Sequence, residues 1–171
     1  FADGTIWSRS QIDAAYLDRQ TTAGSDTIAG SIRDDVIHGF GGDDTLLGDA
    51  GNDTLVGGTG HDLLQGQAGN DIYLYALGDG DDVVDDLSGQ NVIQLGTAIA
   101  PEDIYFSASV SSPNDIVIRF DGNPGSITLK NQLAASSANG VQSLSFTDGT
   151  VWDRARILSE YLARQGSAGD D

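Results

Sequence analysis

An aspartate recurs at every ninth position from Asp26 to Asp71, through Asp35, Asp44, Asp53 and Asp62. Setting residues 21–74 in rows of nine gives six rows without an insertion, and this aspartate column is the sixth. The first column reads Thr21, Gly30, Gly39, Gly48, Gly57, Gly66 and the fourth reads Gly24, Arg33, Gly42, Gly51, Gly60, Gly69. The eighth holds one bulky side chain per row, Ile28, Ile37, Leu46, Leu55, Leu64 and Tyr73. Self-similarity at a fixed period is the mark of a repeat architecture, in which one row can bury its apolar side chain only against its neighbours. Two further rows follow if Tyr75 and Ala76 bulge out: residues 77–85 then bring Asp82 and Val84 into register, and residues 86–94 bring Asn91 and Ile93.

The columns translate into geometry. Glycines in each row permit backbone angles closed to other residues, so six places form a tight turn whose carbonyls point inward. The last three places, such as Thr54-Leu55-Val56, form a short strand with its middle side chain in the core. Two rows make one coil of eighteen residues, so odd rows stack on one side and even rows on the other. Asp44 then lies one coil above Asp26, and Asp53 above Asp35.

Charge narrows the chemistry. The net charge is -18 and the pI near 4.1, which disfavours nucleic acid and anionic membrane as partners and favours cations. Residues 21–94 contain fourteen Asp, no Glu and Arg33 as their one base. Self-repulsion on that scale, against one core side chain per row, predicts that the repeat region does not fold without a counter-charge. There are no cysteines, so no disulfide can serve as the staple. No apolar run approaches membrane-spanning length. The chain opens at Phe1 with no methionine, which we read as a piece of a larger protein.

Competing motifs are weak. GGTGHD at residues 57–62 lacks the Gly-Lys-Ser/Thr of a phosphate loop, and Asp79-Gly80-Asp81-Asp82 lacks the closing Glu and flanking helices of an EF-hand. His38 and His61 fall in unrelated columns, and neither can complete a zinc site without Cys or HExxH. No GxSxG occurs, and the repeating carboxylate pairs are explained as ligands rather than as a glycosidase dyad. No catalytic residue is expected.

The rows resemble the GGxGxDxUx nonapeptides of RTX proteins, which form parallel β-rolls that bind calcium. The resemblance implies an all-β chain: a parallel β-roll with two nonapeptides per coil, a C-terminal β-rich cap and short capping helices. It also implies Ca²⁺ held between stacked turns by sixth-column aspartates and backbone carbonyls. Carried onto this chain, the cages pair Asp26 with Asp44, Asp35 with Asp53, Asp44 with Asp62 and Asp53 with Asp71. Two weaker ones pair Asp62 with Asp82 and Asp71 with Asn91, for about four to six ions in all. Gly39, Gly41, Gly48, Ala50, Gly57 and Thr59 are the expected carbonyl donors. All-oxygen cages of this kind suit Ca²⁺ better than Mg²⁺. The family also implies secretion or display at a bacterial surface, with type I export machinery as a transient partner. The parent protein would be an adhesin or toxin, or else an exoenzyme such as a lipase or protease carrying the module for secretion and stability.

Beyond Leu95 the texture changes. Alternating stretches at residues 104–110, 115–120, 126–130 and 142–146 predict strands, with a turn at 121–125. Residues 95–152 resemble the haemolysin-type calcium-binding-related segment that follows nonapeptide runs, and a β-rich cap over 95–146 would cover the open edge of the roll. FADGTIWSRSQIDAAYLDRQ at residues 1–20 matches FTDGTVWDRARILSEYLARQ at 146–165 in eleven of twenty positions. This duplication predicts one block of a tandem array. Residues 1–20 form a turn and capping helix, 21–94 the roll, 147–165 a turn and helix leading to the next block, and 166–171 the start of the next roll. Neighbouring blocks would then be partners. Ile157, Leu158, Tyr161 and Leu162 define one face of the second helix, matched by Ile12, Tyr16 and Leu17 in the first.

Overall fold

The computed structural model describes Ser8 and residues 21–134 and 140–167, so the expected first helix, with Ile12, Tyr16 and Leu17, and residues 168–171 of the next roll expected at 166–171 lie outside the described residues, while Gly166 and Ser167 end the C-terminal helix. Each row of nine contributes one strand: Thr27–Ala29 (β1), Val36–Gly41 (β2), Thr45–Leu47 (β3), Thr54–Thr59 (β4), Leu63–Gln65 (β5), Ile72–Tyr75 (β6), Asp81–Val84 (β7) and Asn91–Leu95 (β8). Odd strands pair in parallel on one side (β1-β3-β5-β7) and even strands on the other (β2-β4-β6-β8). The register is that of the rows. Ile28 stands opposite Leu46, Leu46 opposite Leu64, Ile37 opposite Leu55 and Leu55 opposite Tyr73. The two extra residues at Tyr75 and Ala76 shift the next partner without breaking the ladder, so Leu64 meets Val84 and Tyr73 meets Ile93.

The core is the eighth column. Ile28, Ile37, Leu46, Leu55 and Ile93 are wholly buried, with Leu64, Tyr73 and Val84 close behind. With one such residue per row and flanking side chains that stay half-buried or exposed, the roll is a thin double layer held by its backbone ladders and by its turns.

The second half continues both sheets. After a 3-10 turn at Pro101–Asp103 come Ile104–Ala108 (β9), Ile116–Phe120 (β10), Asn123–Leu129 (β11), Val141–Ser145 (β12) and Val151–Asp153 (β13), then the helix Arg154–Ser167 (α1). Strand β11 adds in parallel to β7 and turns back antiparallel through β10 to β9, making a seven-stranded sheet. Strand β12 adds in parallel to β8 and carries β13 antiparallel outside it, making a six-stranded one. The expected turn is tight, with Gly122 at φ 67° between β10 and β11. The cap therefore takes up the free ladder groups of the last coil rather than lying across it, which protects edges that would otherwise pair with other chains.

Helix α1 packs against β9, β12 and β13 of this same block, although the sequence pattern assigns it to a following one. The β12–β13 hairpin returns the chain to its own sheet edge, and Asp153 Oδ1 accepts the Arg156 N–H at 2.8 Å as an N-cap. Ile157 and Tyr161 are buried and Leu158 packs partly against the core, whereas Leu162 is exposed. Trp152 lies between Phe146 and Phe106, with the Arg156 guanidinium 5.5 Å over its ring.

Candidate metal centre

Both ladders of sixth-column aspartates are built the same way. One carboxylate oxygen, Oδ1, accepts the backbone N–H of the aspartate one coil earlier. Asp26 donates to Asp44 at 2.7 Å, and Asp35 to Asp53, Asp44 to Asp62 and Asp53 to Asp71 at 2.8 Å. Beyond the two-residue shift, Asp62 donates to Asp82 at 3.1 Å and Asp71 to Asn91 at 2.9 Å. The structure thus brings together all six of the expected pairs.

The second oxygen separates them. Oδ2 of Asp44, Asp53, Asp62 and Asp71 is buried with no hydrogen-bond partner. A buried, ionised oxygen without a partner carries a large desolvation cost, so four in a row call for an explanation. In the first coil the same atom is satisfied internally. Asp26 Oδ2 accepts from the N–H and hydroxyl of Thr22 at 2.6 and 2.9 Å, and Asp35 Oδ2 from those of Ser31 at 2.6 and 2.8 Å. From the third row on, the second-column residue turns left-handed (Phe40 at φ 71°, Asp49 at 72°, Gly58 at 93°, Gln67 at 71°), and no such donor reaches the carboxylate. Three of these four are not glycine, and a non-glycine residue in that region is uncommon and strained unless its surroundings impose it.

The first-column glycines show what lies beside the orphaned oxygens. A Cβ on Gly39 would collide with Asp44 Oδ2 and with the Gly57 carbonyl of the next coil. On Gly48 it would collide with Asp53 Oδ2 and stand 2.8 Å from the Gly66 carbonyl; on Gly57 and Gly66 it would strike Asp62 and Asp71 Oδ2. Carboxylate and carbonyl oxygens crowd one small space that only glycine leaves open. No three acidic or histidine side chains converge among the described residues, so a cation here would need backbone carbonyls to complete its shell.

The electrostatics agree. Burial, partly offset by the backbone N–H of the preceding coil and reinforced by neighbouring carboxylates, pushes Asp53 and Asp62 up to about 6 and Asp82 to about 7. Burial raises Asp44 and Asp71 as well. Left alone, these groups hold a proton more tightly than an ordinary aspartate, as buried carboxylates without a counter-charge do. Orphaned oxygens, an all-oxygen donor set and a glycine cradle together fit a hard cation of the Ca²⁺ class.

Among the expected carbonyl donors, Gly48 and Gly57 face the glycines one coil below, as just described for Gly57. Gly41 stands opposite Thr59 in the β2–β4 ladder, the Thr59 carbonyl accepts the Gly42 N–H at 2.9 Å, and Ala50 bridges to Ala68. No orientation toward the cradle sets Gly39, Gly41, Ala50 or Thr59 apart. The Gly66 carbonyl, not among the expected donors, faces Gly48 in the same way, and its place in the first column is the signal that could have named it. Asp62 and Asp71, which the expected pairing places in the main cages and also in the two weaker ones, carry the same orphaned oxygen as Asp44 and Asp53. His61 is exposed and lies 3.9 Å from Asp81, and His38 stacks on Phe40.

Residues 20–55 and 47–79 match the model of the RTX calcium-binding nonapeptide repeat, and residues 115–156 match that of the haemolysin-type calcium binding protein related domain. Among solved structures, the chain is similar to the AlgE6R3 subunit of the Azotobacter vinelandii mannuronan C5-epimerase, determined in solution. The likeness has 26% identity over 67% of this chain and 75% of that one, with a TM-score of 0.51. No curated protein matches the chain.

Proposed function

Since the chain carries RTX calcium-binding nonapeptide repeats followed by a haemolysin-type calcium-binding-related domain, we propose that it is a calcium-dependent structural module of a large secreted protein, an adhesin or toxin. It is unfolded in the roll without calcium and folds on binding it outside the cell. The observation that carries this reading is the set of four buried, partnerless Oδ2 atoms on Asp44, Asp53, Asp62 and Asp71. Calcium supplies the positive charge and the demand for six to eight oxygen ligands. The aspartates of successive coils provide the carboxylates, the first-column glycines leave the space, and the carbonyls of Gly48, Gly57 and Gly66 face it.

Interior cages are the strongest candidates, Asp44 with Asp62 and Asp53 with Asp71. At the first coil a ligand role for Asp26 or Asp35 would require Thr22 or Ser31 to release the oxygen it now holds. Binding of this kind is folding, because the cages exist only when rows eighteen residues apart are stacked. A chain exported unfolded through a type I system would stay extended at low internal calcium and compact at the higher level outside. The module acts by structure rather than catalysis: its carboxylate pairs repeat with the coil instead of converging on one reaction centre. The 1–20 and 146–165 duplication supports neighbouring blocks as partners.

A second reading is favoured by the solved relative, whose repeat subunit belongs to an enzyme. Here the module would serve an exoenzyme as a secretion and stability element. Both readings share one test. Far-UV circular dichroism of the chain is expected to show a largely disordered roll in chelator and β structure in millimolar Ca²⁺, with Mg²⁺ failing to substitute. A roll fully formed in chelator overturns the reading.

A further inference from the structure

The end of the roll departs from the repeat at three positions that meet in space. Where every row from the second to the sixth opens on glycine, row eight opens on Asp86. Where other rows bury an aliphatic side chain in the eighth column, row six buries Tyr73. Where other rows carry Asp in the sixth column, row eight carries Asn91. Asp86, Asn91 and Asp71 are all buried.

Their contacts form one cluster. The Tyr73 hydroxyl donates to Asp86 Oδ2 and accepts the Gly66 N–H at 2.8 Å. A Cβ on Gly66 would collide with Asp71 Oδ2 and also meet the Tyr73 hydroxyl, so the Asp71 carboxylate and the Tyr73–Asp86 pair converge beside Gly66. In the interior, that place is filled by the carbonyl of the next coil's first-column glycine. Asp86 brings a carboxylate instead. Its Oδ1 is steered by the Ser88 N–H at 3.1 Å.

Asn91 shows which way the cluster faces. Its Oδ1 accepts the Asp71 N–H at 2.9 Å, as an aspartate's would. Its Nδ2 replaces the second carboxylate oxygen and donates to the carbonyls of Ser88 and Gly140, both at 3.1 Å. An aspartate here would point a bare oxygen at those two carbonyls, with no further coil to supply a cation between them. Asn91 therefore keeps the oxygen that looks back toward Asp71 and closes the ladder on its far side.

We propose that Asp71, Asp86 and Asn91, braced by the Tyr73 hydroxyl, form a terminal calcium site whose ligand set differs from that of the nine-residue repeat. Two observations carry it independently. Asp71 Oδ2 is fully buried, unpartnered and aimed into the cluster, and the chain has placed a second carboxylate beside it where the repeat would place a glycine. Two adjacent buried carboxylates, of which Tyr73 can satisfy only Asp86, need a positive charge between them. Tyr73 acts as a positioning residue: it fixes the Asp86 carboxylate and, being apolar elsewhere, still fills the core. The site lies where β8 hands over to β12 through Gly140, so occupancy would tie the roll to the cap.

This inference rests on the calcium reading above, and two probes keep them separable. Calorimetric titration of the full chain with Ca²⁺ counts ions, while Tb³⁺ bound in calcium's place emits when excited through a nearby tyrosine. The wild type is expected to show tyrosine-sensitised Tb³⁺ emission, displaced by Ca²⁺. Asp86→Asn, which keeps an acceptor for Tyr73 but removes the charge, is expected to lose one ion and reduce the emission while folding in saturating Ca²⁺. Tyr73→Phe retains the core ring and is expected to weaken that one site about 10–100-fold, the usual cost of removing a group that orients a ligand. An unchanged ion count and affinity in Asp86→Asn overturns the site and makes the Tyr73–Asp86 pair a protein plug. Should Asp86→Asn not fold, an unaltered titration in Tyr73→Phe overturns it equally. Absence of any calcium binding by the wild type overturns the calcium reading itself, and this site with it.

Discussion

The roll and the cap share two continuous sheets but satisfy their buried charges in opposite ways. In the roll, Asp53 buries a carboxylate whose Oδ2 finds no donor. In the cap, the equally buried Asp115 receives the Lys130 ammonium at 2.6 Å and the Asn131 N–H at 2.9 Å. The cap also fills its interior: all of β10 except Arg119 is buried, and Phe120 stacks on Tyr75 with ring centres 5.0 Å apart. Buried Gln132 exchanges two hydrogen bonds with the Val141 backbone, and its own carbonyl accepts from Arg154. The cap meets its buried charge with a counter-charge of its own, whereas the roll leaves four buried carboxylate oxygens without a donor. On the calcium reading proposed above, a thin core with open carboxylates should answer to its surroundings, and a thick core with internal counter-charges should not.

The sharpest way to break this contrast is to remove the internal counter-charge of the cap. Lys130→Met leaves Asp115 buried beside one backbone donor. The cap should lose about 3 kcal/mol, as when one partner of a buried pair is deleted. Urea unfolding in saturating Ca²⁺, followed by Trp152 fluorescence in a Trp7→Phe background, measures it. The calcium midpoint of the roll should stay unchanged, and a large shift there would mean that the two regions are not energetically distinct.

Within the roll, the comparison turns on the orphaned oxygen. In the proposed ladder of cages Asp53 serves two and Asp26 one, and Asp26 already has Thr22 on its second oxygen. Asp53→Ala should raise the calcium midpoint about tenfold or more and flatten the transition, while Asp26→Ala should shift it far less; one such charge–ligand contact is worth about 1.4 kcal/mol or more. Calcium titration by circular dichroism reads both, and equal shifts would refute the division drawn between the first coil and the interior.

The smallest effect is that of pH. Asp53 and Asp62 rise from 3.8 to about 6 and Asp82 to about 7, so the metal-free fold binds more protons than the unfolded chain. Its stability is therefore greatest below the ordinary carboxylate value and is lost as pH rises through about 6–7. Two outcomes follow. In chelator, the roll should show more β signal at pH 5 than at pH 7.5. Calcium, competing with the same protons, should bind about fourfold more weakly per carboxylate at pH 5.5 than at neutral pH. The cap signal should follow neither change, because none of these aspartates lies in the cap.

Much of this was legible in the letters. The aspartate column gave the six pairings, the eighth column gave the core, and the bulge at Tyr75 and Ala76 gave the shifted partners of Leu64 and Tyr73. These were readable because each interior row meets a near copy of itself, so a local pattern is also the long-range one. Wherever a row meets something else, the letters fall silent. Nothing in Thr22 or Ser31 announces that they occupy the oxygen left bare on Asp44, since that depends on a turn conformation which changes between the second and third rows. Nor does the spacing of Asp62 and Asp71 reveal that they are as deeply enclosed as Asp53, because the enclosing coil is shifted by two residues.

The sequence by itself determined the period, the strand register and the column of carboxylates. Periodicity is a one-dimensional property, and eighteen residues of chain suffice to return each aspartate above its predecessor. Only the tertiary structure decided how the ladder ends. It set β11 on β7 and β12 on β8, folded α1 back onto its own cap, and brought Asp86 to Tyr73 and Asn91 to Gly140. Those contacts join residues with no shared repeat, Asn91 and Gly140 being 49 positions apart, so their pairing is selected by which unpaired edges and buried polar groups remain once the coils have stacked.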